Sequence, residues 1–286
     1  MIGLIAMREL KEFQRDGRLY WTGGIVLVLM LTALLVGWQQ QSSANAERSA
    51  AQELDYDDWI QQKERHPHDA AHQGMHVFKP EAPLSMVDAG ITPYVGSTQW
   101  LRAHRQTDVK FVPSQDATGL QRFGNLSVAW VLQVLGPLLV IVLGFNSFAG
   151  EREQGTLRQL MSQGVSPYRL LLGKAAALSS ALALLFVPVG IVTASIALKS
   201  IESELRLDTL LRLLVLFAGY AAYLGIFVFL SLAVSGWAST TRLALIILLA
   251  LWIVGIALAP RAISDMAARW HPTPSRVEFN NRLGNL

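Results

Sequence analysis

Five long blocks of apolar residues divide this chain of 286 residues and constrain its fold more than any other feature. A helix needs about 20 apolar residues, with a range of about 17–25, to cross the hydrocarbon core of a bilayer. The blocks occupy residues 19–38, 126–148, 170–198, 210–234 and 243–259. A hydrophobic content of 52% and a mean hydropathy of +0.34 agree with this pattern. The sequence therefore predicts an all-α polytopic membrane protein with five visible spans.

Basic residues in two short segments set the expected orientation. One segment precedes the first block, and the other connects the second block to the third. Their basic side chains are Arg8, Lys11, Arg15, Arg18, Arg152, Arg158, Arg169 and Lys174. The positive-inside rule places both segments in the cytoplasm. We therefore expect a cytoplasmic N-terminus, an extracytoplasmic segment over residues 39–125 and an outer tail over residues 260–286.

The segment over residues 39–125 begins as a polar, helix-prone stretch and continues with frequent Pro and Gly. We predict a small mixed extracytoplasmic domain there. A core built from fewer than about 90 residues is marginal. We therefore expect this domain to lean on a partner or on the tail.

Residues 1–18 predict an amphipathic helix that lies in the membrane interface. Its apolar face consists of Ile2, Ile5, Ala6, Leu10 and Phe13. A solvated helical extension is the alternative. Acidic residues among the basic ones and the long apolar block that follows argue against a cleavable signal peptide. The first span is therefore expected to remain as an anchor.

The sequence lacks the motifs of several enzyme classes. Gly173-Lys174 is followed by Ala175, where a Walker A motif needs Ser or Thr, and the earlier glycine of that motif is also missing. No apolar block carries Asp or Glu, and no HExxH zinc signature occurs. The chain has no cysteine, which excludes disulfides and thiolate metal sites. We expect a non-catalytic chain that binds neither ATP nor nucleic acid.

Four histidines lie close together in the segment after the first block. They are His66, His68, His72 and His76. On a continuous helix the last three would share one face, an arrangement that suits Zn²⁺ or Cu²⁺. Pro67 and Gly74 disturb such a helix, so we favour histidines that cap turns and predict no bound metal. A metal site at the last three is the alternative, and His104 and His271 are interpreted as surface or packing residues.

The connection between the second and third blocks reads FAGEREQGTLRQLMSQGVSPYRLLLGK over residues 148–174. Charged groups in hydrocarbon cost about 3 kcal/mol each, so these side chains must contact water or protein. Leu157, Leu160 and Met161 have helical spacing, and the acidic pair Glu151 and Glu153 suits the start of a helix. A short amphipathic helix between two spans is typical of a docking element. A solvated connector is the alternative.

Within this connection, the run GEREQGTLRQLMSQGVSPYRLLLGK resembles the signature of ABC-2-type transporter permeases. The resemblance implies a membrane domain of six helices that pairs with a second permease copy or a homologous permease. It also implies two cytoplasmic ATPase subunits, which would hold the ATP and Mg²⁺. By the same resemblance, the coupling helix that contacts an ATPase would include Glu151, Arg152, Glu153, Gly155, Thr156, Leu157 and Leu160. The N-terminal helix fits the interfacial elbow of this family.

Two features depart from the usual pattern of the family. The first external segment is long, and its runs HDAAHQG, VFKPEAPL and LRAHRQ are similar to a bacterial subgroup with large periplasmic insertions. This resemblance implies the inner membrane of a bacterial cell. No sixth apolar block follows the fifth. One interpretation is a truncated chain whose tail over residues 260–286 opens a second insertion.

Proline and glycine inside the blocks predict places where helices bend. Gly136 with Pro137, and Pro188 with Gly190, are the hinge candidates, because proline removes a backbone donor and clashes with the preceding turn.

Together these features favour the permease subunit of an ATP-driven exporter, whose spans move when a separate subunit hydrolyses ATP. The alternative is a mechanotransmission subunit that drives a periplasmic partner, with nothing crossing the spans. A metal-sensing membrane receptor is a third interpretation, which depends only on the histidines. Membrane lipid is an expected partner in every case.

Overall fold

The computed structural model describes residues 1–104, 107, 109–112, 126–199 and 205–284. Five of its helices are long and apolar enough to cross a membrane. They are Arg18–Ile60, Val128–Glu153, Pro167–Lys199, Arg206–Trp237 and Thr241–Trp270, and we call them the first to fifth spans. The predicted helical membrane fold with five visible spans is confirmed. The described residues contain no sixth span, so that expectation stays a prediction.

A separate N-terminal helix, Ile2–Arg15, packs against the start of the third span. Ala6, Glu9 and Phe13 form its buried side. The close approach depends on Gly173, because a Cβ there would lie 2.6 Å from the Cβ of Ile5. Leu4 and Met7, on its outward side, are 72% and 56% exposed, which suits a helix at the membrane interface.

The first span is a continuous helix of 43 residues. At about 1.5 Å per residue it is about 65 Å long, roughly twice the thickness of a hydrocarbon core. The apolar block at residues 19–38 fills its first half, so its second half must extend beyond the membrane. Gln41, just past the block, donates to the carbonyl oxygen of Ala82 at 3.0 Å.

Between the first two spans, a short helix at Pro67–Gln73 precedes two antiparallel strands, β1 (Met75–Phe78) and β2 (Thr98–Leu101). Met75 pairs with Leu101 and Phe78 with Thr98. A short 3₁₀ turn, Thr92–Tyr94, lies in the connection. The status of this segment as a mixed domain stays a prediction, and its predicted end at residue 125 lies outside the described residues.

The second span is the central element of the bundle. It begins with Val128–Trp130, widens into a π-helix at Val131–Leu135 and continues as Gly136–Gly144. In the most apolar stretch of the second span 61% of the residues are buried, whereas the corresponding fractions are 17% in the fourth span and 11% in the fifth. Its buried side chains pack against the first, third and fourth spans, and it also contacts the fifth span. These contacts include Val131, Leu139, Val140, Leu143, Ala177, Leu178, Ala181, Leu224 and Val228.

The fifth span extends further than the apolar block at residues 243–259. It runs as Thr241–Trp252, passes through a π-helix at Ile253–Leu258 and continues as Ala259–Trp270. Pro260 is tolerated because it stands in the first turn after the π-helix. A further helix, Arg276–Gly284, follows, and the last two residues of the predicted tail lie outside the described part of the chain.

Candidate functional site

The GERE run of the sequence, residues 150–153, lies where the second span ends, beside the turn between the fourth and fifth spans. Ser235 of the fourth span holds this end in place. Its hydroxyl accepts from the backbone N–H of Phe148 at 2.9 Å and of Ala149 at 3.1 Å, and it donates to the carbonyl of Phe145 at 2.7 Å. One buried side chain thus satisfies three backbone groups at the end of the second span.

Glu151 belongs to a buried ionic group that we call the Glu151 cluster, which consists of Glu9, Glu151 and Lys174. The Nζ atom of Lys174 lies 2.6 Å from Oε1 of Glu9 and 3.1 Å from Oε1 of Glu151. Its side chain is only 1% exposed, and Nζ also lies 5.4 Å from the centre of the Phe148 ring. The cluster therefore joins the N-terminal helix, the end of the second span and the start of the third span.

Burial raises the pKa of Glu9 above its ordinary value of 4.5. The ammonium of Lys174 opposes this rise, while the nearby carboxylates of Glu151 and Glu12 add to it. The cluster holds two carboxyl groups for one ammonium, so the second carboxylate is incompletely compensated.

Arg152 and Glu153 bind the two helix ends that meet in the turn between the fourth and fifth spans. The guanidinium of Arg152 donates to the carbonyls of Gly236 and Ala238, at the C-terminal end of the fourth span. The carboxylate of Glu153 accepts from the backbone N–H of Thr241 at 3.1 Å and from its hydroxyl at 2.9 Å. Thr241 starts the fifth span, so each charge lies at the helix end whose dipole it complements.

The predicted helix over the GERE run and its leucines is wrong in one respect, because two short helices replace it. Ala149–Glu153 ends before Gly155, and Thr156–Ser162 begins after it. Gly155 has φ +75°, a left-handed conformation that interrupts the helix and that other residues adopt only with strain. Thr156 donates its hydroxyl to the carbonyl of Glu151 at 3.2 Å across this break.

The second short helix, Thr156–Ser162, makes no side-chain hydrogen bond to the N-terminal helix or to the third, fourth or fifth span within the part of the chain that the structure describes. Leu157 and Leu160 are half-buried, Met161 is 37% exposed, and Arg158 is exposed and forms no hydrogen bond or ion pair with the described residues. Gly164, with φ +81°, follows the end of this short helix, before the third span begins. The seven predicted coupling residues thus fall into two groups separated by Gly155. Glu151 to Glu153 contact other elements of the chain, whereas Thr156, Leu157 and Leu160 belong to the second short helix.

A comparison with protein-family models matches residues 4–278 to the ABC-2 family transporter proteins. The chain belongs to this family. The match covers nearly the whole chain, so the resemblance seen in the motif extends to all five spans and to the N-terminal helix. A comparison with curated proteins gives no match. As an ABC-2 transporter protein, the chain is a multi-pass permease of the kind that is generally a non-catalytic membrane subunit working with an ABC ATPase.

The hinge candidates of this ABC-2 protein lie in two different settings. Pro137 follows the π-helix, and the carbonyl four residues before it, on Gln133, accepts from the Tyr223 hydroxyl at 2.8 Å. Trp252 donates to the neighbouring carbonyl of Val134 at 3.0 Å. The fourth and fifth spans thus supply donors that the helix around Gly136 and Pro137 lacks.

The second pair of hinge candidates lies in the third span. Pro188 is accommodated within the continuous helix Pro167–Lys199. Gly190 lies against the ring of Phe217 on the fourth span. An apolar cavity of about 550 Å³ opens beside both, and Ser179, Thr193 and Tyr220 are among the few polar side chains on its wall. The two neighbours of Pro188, Val187 and Val189, line this cavity together with Gly190.

The histidines gather differently from either interpretation of the sequence. His76 leaves the predicted trio, because its ring binds Asp55 at 2.6 Å and stacks on Trp100. His104, interpreted as a surface or packing residue, is exposed and lies beside His68 and His72. His66 does cap the following helix by accepting from the N–H of His68.

The sequence analysis missed several residues that complete the motif. Lys174, Ser235 and Thr241 bind the GERE run or the turn before it, and Glu9 binds Lys174. Only Lys174 carried a local signal, since it closes the resemblance in LLLGK. The others come from elements 80 or more residues away in the chain, and no spacing rule connects them to the motif.

Proposed function

We propose that this ABC-2 protein is the permease subunit of an ATP-driven exporter in the inner membrane of a bacterial cell, with its N-terminus in the cytoplasm. ATP and Mg²⁺ would bind to a partner ATPase. The observation that carries this proposal is the division of the motif. Its charged run is bound to other elements of the chain, while the short helix Thr156–Ser162 projects from them.

The projecting helix suits a docking surface for the ATPase. It is a single short helix with a left-handed glycine before it and another after it, so it forms a compact protrusion. Its apolar contact side is half-buried Leu157 and Leu160, with Met161 exposed beside Arg158. Met is adaptable and arginine is frequent at protein interfaces, so this surface has the composition of a docking site.

The charged residues Glu151 to Glu153 would transmit the motion of the docked helix. Glu151 is bound to the third span and the N-terminal helix through Lys174. Arg152 and Glu153 are bound to the fourth and fifth spans. A displacement of Thr156–Ser162 would therefore reach four elements as a rigid-body shift. If these contacts broke, the buried ammonium of Lys174 would lose a partner, and the helix ends bound by Arg152 and Glu153 would lose their hydrogen bonds.

The docking part of this proposal is tested by affinity purification of the full chain from its native membrane. We expect an ATPase subunit with a Walker A motif to co-purify with the wild type. The double variant Arg158→Glu/Met161→Asp should lose it, because a charge reversal and a buried carboxylate would oppose contact. The matched control Arg269→Glu/Met266→Asp carries the same changes outside the motif and should retain it. Equal recovery with both variants would contradict docking at Thr156–Ser162.

The outer surfaces of the fourth and fifth spans support pairing with a second permease copy or a homologous permease. Most residues in the apolar stretches of these two spans are not buried within one chain. Ala218, Ala221 and Ala222 form a small-residue surface on the fourth span that permits close helix approach. Lipid would cover whatever part of these surfaces a partner leaves free.

One observation favours the mechanotransmission alternative. The first span continues without a break from the membrane to Ile60, where Asp55 binds both the backbone and the ring of His76 at 2.7 and 2.6 Å. A shift of the first span would thus reach the segment with β1 and β2 and a periplasmic partner bound there. Transport assays in sealed vesicles separate the two functions, since ATP-dependent movement of a solute is expected only for the exporter.

A further inference from the structure

Three histidine side chains from two separate pieces of chain converge between the first and second spans. Ligand nitrogens of His68, His72 and His104 all lie within 4.8 Å of one another. Their ring centres are 4.6, 5.4 and 5.5 Å apart. All three side chains are exposed, so an ion could reach them from solvent.

The contact between His68 and His72 brings two ring nitrogens, each a potential metal ligand, close together. Their Nε2 atoms lie 3.0 Å apart and face each other. One proton can join the two nitrogens, and a divalent ion that both nitrogens bind could replace it. Tetrahedral zinc with Zn–N bonds of about 2.0–2.1 Å holds its nitrogen ligands about 3.3 Å apart. This pair is close to that spacing, and a ligand nitrogen of His104 lies within 4.8 Å of both.

The backbone around the three histidines is tied together, so their meeting does not depend on loose side chains. The N–H of Ala103 donates to the carbonyl of Ala71 at 3.1 Å, beside His72 and His104. The Trp100 indole donates to the carbonyl of Gln73 at 3.0 Å. Both bonds fasten the end of β2 to the helix Pro67–Gln73.

The pairing of β1 with β2 brings His104 back towards this helix. Met75 pairs with Leu101, so the chain that leaves β2 at Leu101 runs beside the residues that precede Met75. Gly74, with φ +69°, turns the chain between the helix and β1. His104 itself has φ +59°, a left-handed conformation in which histidine is enriched several-fold over most other residues with a side chain.

We propose that His68, His72 and His104 bind one divalent transition-metal ion of the zinc class. Imidazole nitrogen suits zinc, copper and nickel, whereas magnesium and calcium require oxygen ligands. Three histidines supply three ligands and leave a fourth position open to water or to a donor from a partner. The site is independent of the ATPase, and its loss would leave docking at Thr156–Ser162 unaffected.

The test uses the full chain in detergent, purified through a tag without histidine and stripped of metal. Co²⁺ absorption and Zn²⁺ calorimetry are expected to show one saturable site per chain, with a cobalt spectrum typical of nitrogen ligands. His68→Gln and His72→Gln keep good helix formers on an exposed surface, and His104→Asn keeps a residue that tolerates positive φ. Each of these variants should weaken binding at least about tenfold.

Two further histidine variants serve as controls. His271→Gln removes an imidazole far along the chain and should bind like the wild type. His76→Gln tests the trio that helical spacing favours and should also bind metal like the wild type. Tryptophan fluorescence during heating checks that each variant is folded. The proposal is overturned if no saturable site appears, if affinity is unchanged in both His68→Gln and His104→Asn, or if His76→Gln abolishes binding.

Discussion

Single residues of the GERE run show how three neighbours in sequence can serve three different elements. A helix turns by about 100° per residue, so Glu151, Arg152 and Glu153 point in different directions from one short helix. The first contacts Lys174, the second the end of the fourth span, and the third the start of the fifth span. The three charges therefore follow the order in which the spans they contact, the third, fourth and fifth, occur along the chain.

Lys174 is the residue whose loss should affect this arrangement most. Lys174→Met keeps the volume of the side chain but leaves Glu9 and Glu151 buried without their cation. Removing one member of a buried ion pair typically destabilises a protein by about 3–5 kcal/mol. We expect the unfolding temperature in detergent to fall sharply, as measured by tryptophan fluorescence.

The control for Lys174→Met is Lys199→Met, which makes the same change at an exposed position at the other end of the third span. Its unfolding temperature should stay close to that of the wild type. Similar small shifts in both variants would show that the Glu151 cluster contributes little to stability.

Glu9 gives the cluster a dependence on pH. Because burial raises its pKa in the folded chain, the folded state binds the proton at Glu9 more tightly than the unfolded state. The stabilisation from this proton is fully present below the ordinary pKa of 4.5 and is lost as the pH rises through the raised pKa. Glu9→Gln removes the titration, so the wild type should lose stability relative to this variant as the pH rises from 4.5.

Thermal unfolding of both proteins between pH 4.5 and about pH 7 measures this difference. Glu47→Gln, on the exposed second half of the first span, is the matched control and should follow the wild type in parallel. A constant difference between Glu9→Gln and the wild type over this range would rule out the raised pKa.

At the scale of helices, the second span depends on side chains of its neighbours. Pro137 cannot donate to the carbonyl of Gln133, and the Tyr223 hydroxyl replaces the missing donor. The π-helix before it places this carbonyl within reach of the fourth span. A bend at Gly136 and Pro137 is therefore coupled to the position of the fourth span.

Tyr223→Phe tests this substitution of one donor for another. Loss of the hydroxyl should cost about 0.6 kcal/mol, the average for hydrogen bonds between membrane helices. Pro137→Ala supplies a backbone N–H, so the cost of Tyr223→Phe should shrink in that background. Thermal unfolding of the two single variants and the double variant measures the coupling.

Tyr20→Phe provides the comparison for Tyr223→Phe, since Tyr20 is 64% exposed on the first span. It should be neutral in both backgrounds. Equal effects of Tyr223→Phe with and without Pro137 would show that the hydroxyl does not replace the proline's missing donor.

The helical elements were largely predictable, but their ends and breaks were not. Hydropathy alone indicates five spans, because lipid leaves the backbone few alternatives to a helix. The break at Gly155 carried a visible signal, a glycine inside a helical pattern, which the spacing of Leu157 and Leu160 obscured. The helix-prone character of the stretch after residue 39 was visible, but its unbroken continuation from the first span to Ile60 was not.

At the scale of the whole molecule, the contacts that complete both candidate sites join distant parts of the chain. Glu9 meets Lys174 across 165 residues, and Ser235 meets Phe148 across 87. His104 meets His72 because the pairing of β1 with β2 and the bond from Ala103 to Ala71 bring their segments together. Such contacts follow from tertiary packing. A single sequence therefore indicates which types of residue a site contains, but not which particular residues come together.

The continuity of the first span can be tested in the complete chain. The sequence has no cysteine, so Val36→Cys and Tyr56→Cys can carry spin labels without other changes. We expect a narrow distance distribution centred near about 30 Å, from twenty residues of helix. Ala46→Pro should broaden and shorten it by breaking the helix, whereas Ala46→Leu should not. A broad distribution without the proline would contradict a continuous helix.

The length of the first span has a mechanical consequence. Arg18 at its start is held by Asp16 and by the carbonyl of Val142, next to the end of the second span. The helix is about 65 Å long, so a tilt of about 5° around Arg18 would carry Ile60 through about 6 Å. The first span is thus a lever arm with its fulcrum beside the GERE run. A rearrangement too small to repack that run could still displace the far end by more than one helical turn.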